Sequence, residues 1–570
     1  MAAESAAKGK PGWREVLAAL RHRKTAYMLL FGFAAGLPYA LLLGTLYAWL
    51  SDAEVDLETM GVFSLIGLSY AFKFLWSPAL DRVNVPVLRR LGKRKQWIVT
   101  AQILLGIILV TLSALDPKSA LGWFSLLAGI GAFASATQDV VIDAWRVDVA
   151  DQVATIDMLS TVYQMGYRLA ALVGGALALI MAERTSWPTV YLTMGAILLM
   201  VGIAGLWAPD ASSTRDPADK SDDLAFLREP GQLAPQVRGW ALAAVAALWG
   251  WALITVGVFM VRSLANDPEA RPDSVEFIST MGPLVVIATV VLPALIAGLL
   301  VRLGRSERYR LSEPAPARTG SDRMADHMYR ALVLPLTEFV GRMGWSLVLV
   351  LALVLTYRIT DSIWGTFAYP FYLGEMEYTK DEVAIASKFF GVGAVVLGLA
   401  LGGYLLTVLG RMATLLLGAV LAALTNLLYA DLSIGGVRMG LVSDWTGFTW
   451  LVEQFGSDQR MGKLMVVIGA ENLAVGIAGA AFVAWLSSIV AKGYSAVQYA
   501  LLSSLTMLVG TLGRGALGKM IEDQGYYDVF IFTTLIGFIA VLLVCIEWWR
   551  QARLGRAAGV IAPEAGAARA

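Results

Sequence analysis

Most constraining for this chain is a succession of apolar runs, each about as long as the roughly 20 residues a helix needs to cross a bilayer. They lie near 25–50, 60–80, 97–115, 120–143, 159–182 and 188–208, then 240–261 and 280–301, then 343–373, 384–408, 411–431, 463–486, 496–517 and 527–547. Lipid offers the backbone no hydrogen-bond partners, so runs of this length read as helices. The expected fold is an all-α membrane protein of 14 spanning helices, grouped six, two and six. Six plus six is the pattern of transporters built from two repeated halves. Charge usage agrees: 16% of the 570 residues are charged, against about 25% in soluble domains. The first run is too long for the apolar part of a signal peptide and reads as a retained helix.

Polar segments divide the chain further. Residues 1–24 form a tail with a mildly amphipathic stretch, 25–208 an N-terminal six-helix bundle, and 209–342 a central insert with two spanning runs (240–261, 280–301). Residues 343–549 form a C-terminal six-helix bundle and 550–570 a second tail. Lys and Arg in short loops set orientation. Arg82, Arg89, Arg90, Lys93, Arg94 and Lys95 follow the second run, whereas the loop after the first holds Asp52, Glu54, Asp56 and Glu58 and no base. Both tails and the loop from Arg302 to Arg310 are basic. All of this places both termini in the cytoplasm. The loop 432–460 is then external, long and mixed, with some interfacial helix expected.

The net charge of +1 gives no reason to expect a nucleic-acid partner. Cys545 is the only cysteine, and His22 and His327 lie in polar segments. No internal disulfide, metal cluster, cofactor or histidine proton relay is expected, and a monomer is the expected state.

A charge at the bilayer centre costs about 2.5–3.5 kcal/mol even on the mildest scale, so each one retained there needs a reason. Gln138, Asp139, Asp143 and Arg146 lie late in the fourth run, the last three on one helix face at i, i+4, i+7. Arg168 lies in the fifth run beside Tyr163, Gln164 and Tyr167; antiparallel helices could bring it to Asp139. Lys73 in the second run either points inward or snorkels to the surface. In the second half, Tyr357, Arg358, Asp361 and Trp364 share the seventh run, Lys388 opens the eighth, and Glu471-Asn472 sits in the tenth. Each charge has two readings: a buried ion pair that fixes packing, or a group on a substrate or proton path. Tyr39 and the other aromatics are likewise packing residues or ligand contacts. Gly36-Leu37-Pro38 is either a break lining a cavity or a kink that serves packing. Gly174-Gly175, Gly476 and Gly479 suit close helix approach. A membrane-embedded enzyme would need a convergent catalytic set, and none is visible, so the chain is not expected to be an enzyme.

The loop from Asp81-Arg82 to Lys93-Arg94-Lys95 resembles the inter-helix motif of the major facilitator superfamily, with Ser77 in place of its opening glycine. The second half repeats it from Gly403 to Gly410-Arg411, with Thr407 where the acid would stand. The resemblance implies gating roles for Asp81, Arg82, Gly403, Gly410 and Arg411. The acid can cap a neighbouring helix N-terminus and hold one conformation. Within the superfamily the chain resembles the AmpG muropeptide permeases. Segments Gly32–Pro38, Phe72–Pro78, Thr137–Asp139 with Asp143–Trp145, Gly166–Arg168, Glu471-Asn472 and Tyr494–Leu501 carry that likeness. It implies proton-driven import of anhydro-muropeptides through the inner membrane for peptidoglycan recycling, and a link to β-lactamase induction where that circuit exists. Asp139, Glu471, Asp361 and Asp143 are then candidates for proton coupling. Arg168, Lys73 and Arg358 are candidates for substrate carboxylates. Gln138, Tyr39, Tyr163, Gln164, Tyr357, Trp364 and Asn472 complete the substrate set. The insert 209–342 and the loop 432–460 depart from the family in length. The Gln138-to-Trp145 stretch also resembles acetyl-CoA transporters, which leaves import or export of another amphiphilic anion as an alternative, beside a non-transporting membrane sensor.

Overall fold

The computed structural model describes residues 21–54, 69–209, 224–263, 274–316, 320–359 and 367–557. Among these, 11 helices are long and apolar enough to cross a membrane. They are α1 (Arg23–Asp52), α3 (Lys95–Ser113), α4 (Leu121–Val149), α5 (Ile156–Arg184), α6 (Trp187–Gly205), α7 (Pro235–Ser263) and α8 (Thr280–Leu303). The series continues with α12 (Lys380–Val408), α13 (Arg411–Ser433), α16 (Gln459–Ser488) and the Leu517–Leu554 part of α17 (Ser495–Ala557). Shorter helices fill the connections: α2 (Ser77–Arg82), α9 (Gly320–Leu332), α10 (Leu334–Met343), α11 (Ser346–Thr356), α14 (Val437–Thr446) and α15 (Phe448–Glu453).

The expected 14 spans are therefore not all reached, for three identifiable reasons. Residues 60–68 of run 60–80 lie outside the described residues. Run 343–373 contains α11, which meets the preceding helix at a bend of 105°, and residues 360–366 lie outside the description. Run 496–517 is the first part of α17, and the side chains of residues 507–516 lie outside the description; further on, α17 is broken at Gly525, where φ is +82°, a backbone conformation glycine adopts at little steric cost. Counting the bent pair as one span gives up to 12.

The chain forms two compact units. One comprises His22–Leu347 together with Leu486–Leu512; the other comprises Val348–Trp485 and Gly513–Ala570.

In the first unit, α1 lies backbone to backbone against α5. A Cβ added at Gly166 would come within 2.8 Å of the Phe33 amide nitrogen, and one at Gly36 within 2.6 Å of the Tyr167 carbonyl oxygen. Helix α1 runs on through Pro38 and widens into a π-type turn over Leu41–Thr45, the usual way a helix absorbs an inserted strain. The glycine of Gly36-Leu37-Pro38 thus serves helix packing. Helix α5 starts cleanly because the Thr155 hydroxyl accepts from the Met158 amide. The apolar core includes Phe31 set edge-on to Trp145 at 5.2 Å. The central insert packs on this same bundle. Trp249 of α7 donates to the Thr289 carbonyl of α8 (3.1 Å) and meets Phe74 edge-on at 6.2 Å. Arg238 of α7 pairs with Asp326 of α9 at 3.5 Å.

In the second unit, Gly476 of α16 lies against α12, where a Cβ would come within 2.7 Å of the Gly398 carbonyl carbon. Helix α12 begins with a capping box between Thr379 and Glu382, which satisfies two otherwise orphaned amides.

Candidate substrate and coupling site

Two sets of buried polar side chains stand out, one in each unit. In the first unit the centre is Asp139 of α4. Lys73 is buried and forms an ion pair with one Asp139 oxygen, and the Tyr163 hydroxyl donates to the other at 2.7 Å. Lys73 therefore points inward; it does not snorkel. One turn along α4, Asp143 pairs with Arg146 at 2.9 Å. The Arg146 guanidinium also lies over the Tyr163 ring at 4.8 Å and the Tyr499 ring at 5.0 Å, and donates to the Ser487 hydroxyl at 3.2 Å. Stacked and ion-paired contacts together suit the planar guanidinium in a way an ammonium would not. Aromatic side chains line the neighbourhood. Tyr39 meets Tyr70 edge-on at 5.0 Å and Tyr167 at 5.9 Å, and the Tyr70 hydroxyl shares a hydrogen bond with Ser135 at 2.6 Å.

This places Tyr39, Lys73, Asp139, Asp143 and Tyr163 in one cluster. Gln138 is anchored instead: its amide donates to the Ala34 carbonyl of α1 at 2.6 Å. Gln164 and Arg168 are half-buried on α5. Tyr70 and Ser135 join the cluster although no sequence pattern singled them out, and Tyr499 joins it from the family-like segment Tyr494–Leu501. A lone tyrosine or serine in an apolar run looks like packing, and only the fold brings Tyr70 to Ser135 and Tyr499 to the Arg146 guanidinium.

In the second unit, Glu471 of α16 accepts a hydrogen bond from the Tyr429 hydroxyl of α13. The Tyr429 and Tyr372 hydroxyls lie 2.7 Å apart, so the three form a chain. Neither tyrosine was anticipated. Two expected ligands each donate a hydrogen bond to a backbone carbonyl. The Asn472 amide donates back to the Ile468 carbonyl (2.9 Å), and the Tyr357 hydroxyl donates to the Leu415 carbonyl (2.9 Å) while its ring stacks on Phe482 at 5.0 Å. Arg358 is half-buried beside α16, near Gly479. Asp361 and Trp364 lie outside the described residues.

The gating motif forms a third polar cluster, in the first unit. Arg94 bridges Asp81 and Asp148, at 2.7 Å to each, and donates to the Ser495 hydroxyl at 2.9 Å. Ser495 in turn donates to Asp148 at 2.9 Å. The other Asp81 oxygen faces the Val497 amide at 3.4 Å, in the first turn of α17, where a carboxylate is favoured by the unpaired amides and the helix dipole. The Arg82 side chain lies outside the description. In the second copy, Gly410 turns the chain at φ +85° just before Arg411 opens α13. Thr407 donates to the Gly403 carbonyl of its own helix at 3.0 Å.

A bundle of spanning helices with charges buried inside it, and an ion-paired loop motif at a helix start, defines a membrane carrier. The family model of the Major Facilitator Superfamily matches residues 28–317, half of the chain, and the chain belongs to that superfamily: it is a secondary transporter and not an enzyme. It is 27% identical over 537 residues to the anhydromuropeptide permease of Escherichia coli K12, covering 93% of this chain and 81% of that one. It is 25% identical to a putative transporter, AmpG 4, of Rickettsia conorii, covering 91% and 94%. Among solved structures, the proton:xylose symporter XylE bound to 6-bromo-6-deoxy-D-glucose aligns with a TM-score of 0.51 at 10% identity, over 93% of this chain and 95% of that one. That likeness bears on the fold alone.

Proposed function

We propose that this chain imports anhydro-muropeptides into the cytoplasm across the bacterial inner membrane, coupled to protons, as a monomer with both termini inside. Similarity to the Escherichia coli permease along 93% of the chain is the observation that carries the substrate. The six-helix halves alternate access by rocking. Lys73 and Asp139 supply the coupling element. A substrate carboxylate competes with Asp139 for the Lys73 ammonium. Once released, Asp139 keeps the Tyr163 hydroxyl but has lost its cation, and a buried carboxylate without one is neutralised by a proton. Substrate and proton then travel together, because each occupies a place the other makes available. Arg168 and Arg358 offer further cationic contacts to an acidic peptide, and Tyr39 offers an aromatic face to a sugar. Glu471, held by Tyr429 and Tyr372, is the second coupling group, with Asp143 and Asp361 behind it. Asp81, Arg94, Asp148 and Ser495 form the latch that must open during the cycle.

The test is uptake of labelled anhydro-muropeptide into cells lacking their own permease, with and without a proton uncoupler. Concentrative uptake that the uncoupler collapses is expected. No uptake at good expression would sink the substrate assignment; uncoupler-insensitive accumulation would sink the energy source.

A further inference from the structure

We infer that the segment between α13 and α16 is a membrane-surface anchor whose Trp445, Trp450 and Phe455 side chains insert into the lipid interface. The segment leaves one spanning helix at Ser433 and enters the next at Gln459, so it is held at the level where both helices emerge from the bilayer. It is a built platform. Helices α14 and α15 are joined through Gly447 at φ +78°. The Asp444 carboxylate accepts from the Thr449 hydroxyl at 2.6 Å and from the Gln459 amide at 2.9 Å. The Met439 amide donates to Asp431 at the end of α13, and Lys463 of α16 reaches the Gly435 carbonyl at 2.9 Å. One face is buried: Met439, Ser443 and Val452 pack inward, and Phe448 meets Phe390 of α12 edge-on at 5.3 Å.

The opposite face is apolar and uncovered. Val437, Leu441 and Trp445 recur at i, i+4, i+8 along α14, one stripe on one side. Trp445 is 87% exposed, Phe455 83% and Trp450 65%. Tryptophan is enriched at the membrane–water boundary because its ring is amphipathic, and a short helix with one apolar face lies in that plane. Charged Arg438 and Glu453 lie exposed on the same two helices, where the headgroup layer can solvate them. Lipid is favoured over a protein partner because the depth of the segment is fixed by the two helices that flank it. The inference does not depend on what is transported. Since Gln459 and Lys463 tie the platform to α16, the helix that carries Glu471, it would hold the end of that helix at constant depth.

The test uses the full chain in liposomes with Cys545→Ser as background and single cysteines Trp445→Cys, Trp450→Cys and Glu453→Cys, each carrying a polarity-sensitive fluorophore. Labels at 445 and 450 should emit to the blue of the label at 453, be quenched by a lipid-borne quencher, and be protected from aqueous iodide; the label at 453 should show the reverse. Iodide quenching at 445 and 450 equal to that at 453 would overturn the inference. Protection at 445 and 450 from both quenchers would overturn it too, since that is the signature of a covering protein surface. Circular dichroism of each labelled protein confirms that the helices are retained.

Discussion

Replacing Lys73 with methionine removes the cation from a pair whose side chains are only 4% and 14% exposed. Deleting one partner of a buried ion pair costs about 3–5 kcal/mol, because the other charge is left behind in a poor solvent. Here the lower end applies, since Tyr163 still donates to Asp139 and a hydrogen bond to a charged group retains about 1.5–3 kcal/mol. Lys73→Met should therefore lower unfolding free energy by about 3 kcal/mol. Asp139→Asn, which strands the ammonium instead, should cost a similar amount. The double variant strands neither charge. It should be no worse than either single variant, giving a coupling energy of about 3 kcal/mol in a double-mutant cycle. Unfolding free energies in mixed detergent micelles, measured for all four proteins, supply the cycle. Additivity within about 0.5 kcal/mol would mean the two groups do not interact, and the coupling mechanism built on them would fall with it.

Other consequences can be checked separately. Asp139→Asn should abolish concentrative uptake while leaving the protein in the membrane; accumulation against a gradient at the normal rate would remove Asp139 from the coupling path. Gly166→Ala should cost about 1–3 kcal/mol by overpacking the α1–α5 contact, read as a fall in melting temperature, whereas Gly175→Ala, which meets open space, should change it little. Tyr429→Phe should shift the pH profile of uptake if Glu471 handles protons, and leave it unmoved if that pair only holds helices together. Outside the membrane, burial pushes the Asp151 carboxyl up, but Lys24 at 2.6 Å and the Val153 and Ala154 amides outweigh it and hold the group below its ordinary value. A depressed carboxylate stabilises the fold above its unfolded value of about 3.9, and that contribution is lost as pH falls below it. Lys24→Met should flatten the acid limb of stability against pH.

The spans were legible because hydropathy accumulates over a score of residues, and Asp143 and Arg146 were legible as partners because helix periodicity puts them on one face. Lys73 and Asp139 are different. They come from separate helices 66 residues apart, and no spacing rule relates them; the antiparallel geometry of the fourth and fifth runs pointed to Arg168 instead. The same limit hid Tyr429 and Tyr372. A tyrosine in an apolar run announces itself only once a carboxylate is brought to its hydroxyl. Conversely, Asn472 and Tyr357 looked like ligands because they were polar among apolar neighbours. Their hydrogen bonds to Ile468 and Leu415 show the commoner fate of such groups, which is to satisfy backbone carbonyls nearby.

The two loop motifs look equivalent in sequence, yet they cannot do equivalent work. In the first, Asp81 is held by Arg94, which also holds Asp148, and the assembly meets Ser495 and Val497 at the start of α17. Asp81, Asp148 and Ser495 thus share one guanidinium, with the Lys93 ammonium a further 3.6 Å from Asp81. In the second, Thr407 carries no charge, and its hydroxyl donates to the Gly403 carbonyl of its own helix. It cannot offer the amides of a helix start the negative charge that Asp81 offers. The strong electrostatic restraint therefore resides in the first copy. Because withdrawing one partner of a buried ion pair is costly, we propose that this copy is the latch. The second copy keeps the turn at Gly410 that starts α13 without the acid–base chemistry of the first.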